Sequence, residues 1–253
     1  MATVFAIRDK WAKGETVFGL FAGIPCGFSA EIISGKGVDY VCVDQQHGVC
    51  DYTDMVEMAR GIDARGSVPL TRVPANEAWI IGKCLDAGAQ GIIVPLVNNR
   101  AEAAKAVAAC RYPPKGERSN GPARAAMVMG TRDMKALGDG VLCFVMVETR
   151  DGLANVEDIA ATPGLDGIYI GPSDLAISLG LGPGLDRDEP EHVAAVAKIL
   201  AACQRHNIIG GIHTGSARSA KNFAAKGFRL VTFGGDAGLL RAGVERELGV
   251  LNG

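Results

Sequence analysis

The sequence predicts an α/β fold, a single (β/α)8 TIM barrel, and three observations carry that prediction. Short apolar, β-branched runs alternate with Ala-rich stretches of helical spacing from one end of the chain to the other. Eight such runs can be counted, the number that closes a parallel barrel. The length of 253 residues is what one barrel needs, so residues 1–253 are read as one domain. An open doubly wound sheet is the alternative; it fits less well because no GxGxxG follows the first run and the strand count is high.

In order, the strand-like runs are Val17 to Gly23, Tyr40 to Gln45, Val68 to Val73, Gly91 to Val97, Leu142 to Glu148, Gly167 to Ile170, Ile208 to His213 and Leu230 to Gly234. Between them helical spacing appears over Tyr52 to Ala64, Ala78 to Ala87, Arg100 to Cys110, Val156 to Ala161, Glu191 to His206 and Ala217 to Ala225, and Ala237 to Leu248 closes the chain. The longest stretch without periodicity is RYPPKGERSNGPARAAMVMG, Arg111 to Gly130, which carries paired prolines and Arg111, Arg118 and Arg124. Loops of that length in compact domains tend to be functional, and this one could reach the barrel mouth or a neighbouring subunit.

Composition excludes several function classes. A hydrophobic share of 48% against 21% charged residues supports a large packed core and argues against disorder. The net charge of -2 is scattered, without the basic footprint that nucleic acid or an anionic membrane would need. No apolar run approaches the roughly 20 residues of a membrane span, and Met1 to Lys13 lacks a signal-peptide core, so a cytoplasmic location is expected. Seven widely spaced cysteines without a CxxC pair read as buried reduced thiols rather than a zinc clip or a nucleophile. All ten lysines, Lys36 among them, fall outside the strand runs, which disfavours a Schiff-base mechanism.

Chemistry in such a barrel sits where strands end, and several runs end in ionisable residues. The second ends in VDQQHG with Asp44 and His47, the third in LTRVP with Arg72, the fifth in MVETR with Glu148, the sixth in IGPSDL with Asp174, the seventh in GIHTG with His213 and the eighth in FGGD with Asp236. Glu148 and Asp174, on adjacent strands, could share a hard divalent cation or could each cap the following helix. His47 could be a base near neutral pH or a structural histidine. Arg72 suits a developing oxyanion or a carboxylate, or simply an ion pair with Asp44. His213 either lines the pocket or bonds locally, while His192 and His206 flank a surface helix and read as solvated. The glycine-rich turns GIHTG and FGGDAG could form a phosphate site, a weak signal because glycine also builds tight turns.

Taken together, SAEIISGKGVDYVCVDQQHG, VPLTRVP, LDAGAQGIIVPLVNNRAEAAKAV, RYPPKGERSNGPARA, VETRDGLANVEDIAATPGLDGIYIGPSDLAISLG and FGGDAGLLRAG resemble, in order along nearly the whole chain, the HpcH/HpaI family of class II pyruvate-dependent aldolases. The resemblance implies a barrel whose C-terminal helix is exchanged between subunits, a homohexamer, and aldol addition or cleavage between a 2-oxo acid and an aldehyde. By position it implies Glu148 and Asp174 as ligands of a divalent ion (Mg, Mn or Co), His47 as catalytic base, Arg72 beside the keto oxygen and Asp86 as the acid that keeps the histidine basic, sometimes across a subunit boundary. It places Ser173, with Gly171 and Pro172 in the same turn, at the substrate carboxylate. Two residues depart from the common pattern. Gln46 stands where many members have Glu, and Met146 where many have a substrate-contacting Gln, so donor preference, pyruvate or hydroxypyruvate, is open. Rival readings are a citrate-lyase-like or malyl-CoA-type lyase, an oxaloacetate decarboxylase and a non-catalytic keto-acid-binding barrel.

Overall fold

The structure, a computed structural model, describes residues 3–35 and 37–252. Its elements run α1 (Val4–Ala12), β1 (Val17–Ala22), α2 (Gly27–Ile32), β2 (Tyr40–Asp44), α3 (Tyr52–Arg65), β3 (Val68–Arg72), α4 (Ala78–Asp86), β4 (Gly91–Val94), α5 (Arg100–Cys110), α6 (Ala125–Met129), α7 (Met134–Asp139), β5 (Leu142–Met146), α8 (Arg150–Ala154), α9 (Val156–Ala160), β6 (Gly167–Ile170), α10 (Pro172–Ser178), α11 (Pro190–Arg205), β7 (Ile209–His213), α12 (Ala217–Lys226), β8 (Leu230–Gly235) and α13 (Asp236–Leu251). The strands close in sequence order, β1 to β8, and each neighbouring pair is parallel. All eight expected strands are present, each within two or three residues of its predicted bounds.

Strands covered on both faces read as continuous apolar runs, so the sequence hides which residues point inward. The structure separates them with a period of two. Leu142, Phe144 and Met146 of β5 join Val68 and Leu70 of β3, Tyr40 and Cys42 of β2 and Tyr169 of β6 inside the barrel. Cys143, Val145, Val41, Val43, Ile168 and Ile170 face the helices. The same alternation turns Asp44 and Arg72, the last residues of β2 and β3, and Glu148, two residues beyond β5, into the mouth, and all three are buried.

Helix α1 seals the other end. Val4 and Ile7 enter the interior cluster, the Trp11 indole N–H donates to the Arg229 carbonyl at 2.8 Å, and Arg8 pairs with Asp166 at 2.8 Å. Local chemistry fixes the helix ends. Asp51 and Asp54 form a reciprocal capping box at α3, which ends on Gly66 at φ 86°; Asn99, Thr149 and Ser216 cap α5, α8 and α12. Each such cap is worth about 1 kcal/mol.

The long loop is tied to its own barrel. Arg111 is buried and donates to the carbonyls of Gly138, Val141 and Gly164 and to Asp166, and residues of the loop form α6. Among the described residues no strand carries a lysine; Lys36 lies outside them. Two expectations need correction. Cys26, before α2, is exposed rather than buried, while the other six cysteines are buried free thiols. His192 is not solvated: it is 2% exposed, with Nε2 3.0 Å from the Pro172 carbonyl, because α11 packs over α10. His206 is exposed beside Glu157, as expected. No helix among the described residues is long and apolar enough to cross a membrane.

Candidate active site

Asp44 organises the rim after β2. Its Oδ1 accepts from Arg72 Nε at 2.8 Å and its Oδ2 from Arg72 Nη2 at 2.6 Å, a two-pronged bond that uses the planar fork of the guanidinium. Oδ1 also accepts from the backbone N–H groups of Gln46 and His47 at 3.2 and 3.3 Å. Burial would raise the Asp44 carboxyl, but Arg72 and these amides hold it below its ordinary value. Burial would lower the Arg72 guanidinium, and Asp44 holds it above. The ion pair expected as the modest role of Arg72 is therefore made, yet it uses only Nε and Nη2; Nη1 has the Met146 sulfur at 4.0 Å. A Cβ at Gly48 would collide with the Asp44 carbonyl, so the turn that presents His47 requires glycine there. The His47 side chain is exposed, and its ring makes no hydrogen bond among the described residues.

Glu148 does not cap the helix that follows it. Thr149 does so, accepting from the Gly152 amide at 3.0 Å, which leaves Glu148 free to turn inward at 2% exposure. Its Oε1 accepts from the Leu96 amide at 2.8 Å, and its Oε2 is buried with no partner. A Cβ at Gly171 would strike that oxygen, so the glycine of GPSDL is what admits the carboxylate to this spot. Burial pushes the Glu148 carboxyl up to about 7; the Leu96 amide opposes the rise, the Asp174 charge adds to it and Arg72 opposes it. Asp174, half-buried in the first turn of α10, accepts no hydrogen bond from any described residue. Two carboxylates that repel each other, one with a buried orphan oxygen, fit a hard divalent cation that takes oxygen ligands. Ser173 is half-buried beside Pro172, whose carbonyl is held by His192.

The structure thus brings Asp44, Gln46, His47, Arg72, Met146, Glu148, Gly171, Pro172, Ser173, Asp174 and His213 to the end of the barrel where the strands finish. It does not bring Asp86 or Arg124 there. Asp86 ends α4, which runs back along the barrel, so it lies by the start of β4; there Arg118 Nη2 donates to it at 2.7 Å. Arg124 donates to Asp63 and to the Ala87 carbonyl, in a space that the missing side chain of Gly88 leaves open. Asp236, in the turn FGGDAG, has a structural role. Its carboxylate already accepts the amides of Gly23, Ile24 and Ala237, which pins the β1 loop to the start of α13. Several participants left no legible signal. Leu96 adopts φ 56°, rare for a side chain of its shape, to aim its amide at Glu148, and Phe21 lies 5.2 Å under the Arg72 guanidinium.

Residues 18–242 match the family described as HpcH/HpaI aldolase/citrate lyase. The chain belongs to that family. Among its relatives, a hydroxypyruvate/pyruvate aldolase of Rhizorhabdus wittichii is 35% identical over 242 residues, 96% of each chain. A 5-keto-4-deoxy-D-glucarate aldolase of Salmonella arizonae is 32% identical over 238 residues, 93% of this chain and 92% of that one. The crystal structure of an HpcH/HpaI aldolase/citrate lyase family protein from Burkholderia cenocepacia superposes with a TM-score of 0.90 at 32% identity, covering 98% of this chain and 99% of that one. In this HpcH/HpaI barrel the residues at the mouth, not the fold, set the reaction.

Proposed function

We propose that this chain is a class II aldolase, a carbon-carbon lyase, that joins a 2-oxo acid (pyruvate or hydroxypyruvate) to an aldehyde and runs the same path in reverse. The observation that carries the reading is the Glu148 carboxylate, buried with an orphan oxygen beside Asp174 and within the field of Arg72, in a family whose relatives here are named aldolases. Glu148 and Asp174 would hold Mg, Mn or Co, and a divalent cation there supplies Lewis-acid polarisation of the keto oxygen, which acidifies the neighbouring C–H.

The residues of this chain do the rest. Arg72, already locked by Asp44, directs Nη1 toward the oxygen on which negative charge grows and needs no reorganisation to do so. The Ser173 amide at the start of α10 takes the substrate carboxylate, and the His192 bond to Pro172 fixes that turn. His47, exposed at the rim, removes the proton from the carbon next to the keto group, directly or through water, and returns it to the aldehyde oxygen after the new bond forms. Met146 in place of a polar side chain leaves Arg72 Nη1 with a weak sulfur acceptor, which keeps that N–H available to substrate.

Asp86 is paired with Arg118 and makes no hydrogen bond to the His47 of its own chain, so its role is read as one across a subunit boundary. The assembly is read as a homo-oligomer, a hexamer by family resemblance, in the cytoplasm. Helix α13 supports an exchange between subunits: only Asp236 of it is buried, and Leu239, Leu240, Val244 and Leu248 are each 47% exposed or more. The test is product formation from pyruvate and a short aldehyde, followed by NMR. A 4-hydroxy-2-oxo acid that appears with divalent cation and disappears with chelator supports the reading; its absence, with cation and pyruvate shown to bind, overturns it.

A further inference from the structure

One ring at the rim has no part in that mechanism. His213 ends β7; Ile212 before it packs against the helices, so the alternation turns His213 into the barrel above Ile209. Its imidazole stands edge-on to Phe21, centroids 4.8 Å apart at 88°, and the same Phe21 ring lies under Arg72. Phe21, Arg72, Met146 and His213 come from alternate strands, and together they form the layer of four side chains that floors the mouth.

Beneath His213 runs a file of buried hydroxyls. Tyr169 Oη is 3.5 Å from His213 Nδ1, Thr232 Oγ1 is 2.6 Å from Tyr169 Oη, and Tyr40 Oη is 2.7 Å from Thr232 Oγ1. None of the three hydroxyl residues is exposed, and burial holds both phenols protonated well above their ordinary range. Three hydroxyl protons must therefore be placed in three hydrogen bonds, since a buried O–H without an acceptor is costly. One assignment places them all: Tyr40 donates to Thr232, Thr232 to Tyr169, and Tyr169 to His213 Nδ1. A proton on Nδ1 would put four donors into three bonds and orphan a buried hydroxyl. The ring hydrogen therefore sits on Nε2, for which no described residue offers an acceptor. Burial, reinforced by the Arg72 charge and opposed by Asp44 and Asp186, pushes the imidazole down to about 4, so it stays neutral at pH 7.

A neutral ring with Nδ1 engaged and Nε2 protonated is a donor, not a base. On the aldolase reading, the carboxylate and keto oxygens of a 2-oxo acid are taken by the cation site, the Ser173 amide and Arg72. The remaining acceptor such a substrate can offer is an oxygen on the carbon next to the keto group. We propose that His213 is a specificity-determining residue whose Nε2–H, oriented by the Tyr169, Thr232 and Tyr40 hydroxyls, hydrogen-bonds that oxygen and so favours hydroxypyruvate over pyruvate as donor. Pyruvate presents only a methyl group there and leaves the N–H unpaired.

The proposal rests on the aldolase reading, and its test separates the two. Exchange of the C3 hydrogens into heavy water is followed by NMR for pyruvate and for hydroxypyruvate, with Mg and no aldehyde, in the wild type, His213→Phe and His213→Gln. The Phe variant keeps a ring against Phe21 and is expected to lower exchange of limiting hydroxypyruvate about tenfold while pyruvate changes little; Gln, which retains an N–H, restores most of the loss. Nitrogen NMR of the wild type is expected to show a neutral ring protonated on Nε2. Equal losses for both donors, or a ring protonated on Nδ1, overturn the role of His213 and leave the aldolase standing. No exchange of either donor in the cation-loaded wild type overturns the aldolase reading and this assignment with it.

Discussion

Replacing Glu148 with Gln is expected to stabilise the metal-free protein at alkaline pH and to abolish its response to divalent cations. Gln keeps an oxygen for the Leu96 amide but cannot ionise. In the wild type the carboxyl rises from an ordinary 4.5 to about 7 on folding, mainly through burial. The folded state thus holds a proton that the unfolded state has released, and stability falls as pH rises from about 4.5 and levels off above about 7. At about 1.4 kcal/mol per pH unit, this shift amounts to about 3 kcal/mol lost above pH 8. Urea denaturation in chelator at pH 5 and pH 8.5 measures it. The variant should show a shallower pH dependence than the wild type, by up to that amount, and cation should raise the midpoint of the wild type alone. Identical pH dependence in the two proteins would refute the reasoning, because it would mean that Glu148 ionises in the folded state without penalty.

Further outcomes follow from the same geometry. Arg72→Met leaves Asp44 buried without its partner and should cost about 3 kcal/mol in urea denaturation, whereas Asp44 and Arg72 replaced together by apolar residues should cost less. Because Arg72 holds the Asp44 carboxyl below its ordinary value, the stability from that pair is present above the unfolded carboxyl value and lost as pH falls through the folded one; Asp44→Asn should remove this part of the acid transition. Co-refolding His47→Ala with Asp86→Asn subunits should give more activity than either variant alone, since some subunit pairs would then hold one intact His47 and one intact Asp86; no gain would refute a role across the boundary. Leu240→Glu and Leu248→Glu together, on the exposed face of α13, should reduce the oligomer seen by light scattering.

The barrel was legible because its signal is local. Apolar runs recur eight times and stretches of helical spacing seven times, and Glu148 and Asp174 stand out as carboxylates at the ends of such runs. Helices of five to nine residues carry few turns in which to show a period: α4 and α9 are legible in the sequence, whereas α1, α2, α6, α7, α8 and α10 are not. Part of what the sequence could not settle was a local choice between neighbours, and the rest was long-range. Whether Glu148 capped a helix depended on Thr149 doing so instead. The strained amide of Leu96 follows from where β4 ends relative to β5, and the hydroxyl file under His213 joins residues up to 192 positions apart. The resemblance gives Asp86 a role at the mouth and the long loop carries Arg124, but pairing with Arg118 holds Asp86, and Asp63 with the Ala87 carbonyl holds Arg124, away from the His47 of the same chain.

The central claim is that this mouth makes an enolate from a 2-oxo acid. Hydrogen exchange at the methyl group of pyruvate in heavy water, without aldehyde, tests it most directly, run with divalent cation, with chelator and with His47→Ala. Exchange that requires the cation and falls at least about 100-fold in the variant is the result expected of a general base at that position. Cation and pyruvate binding without exchange would contradict the account.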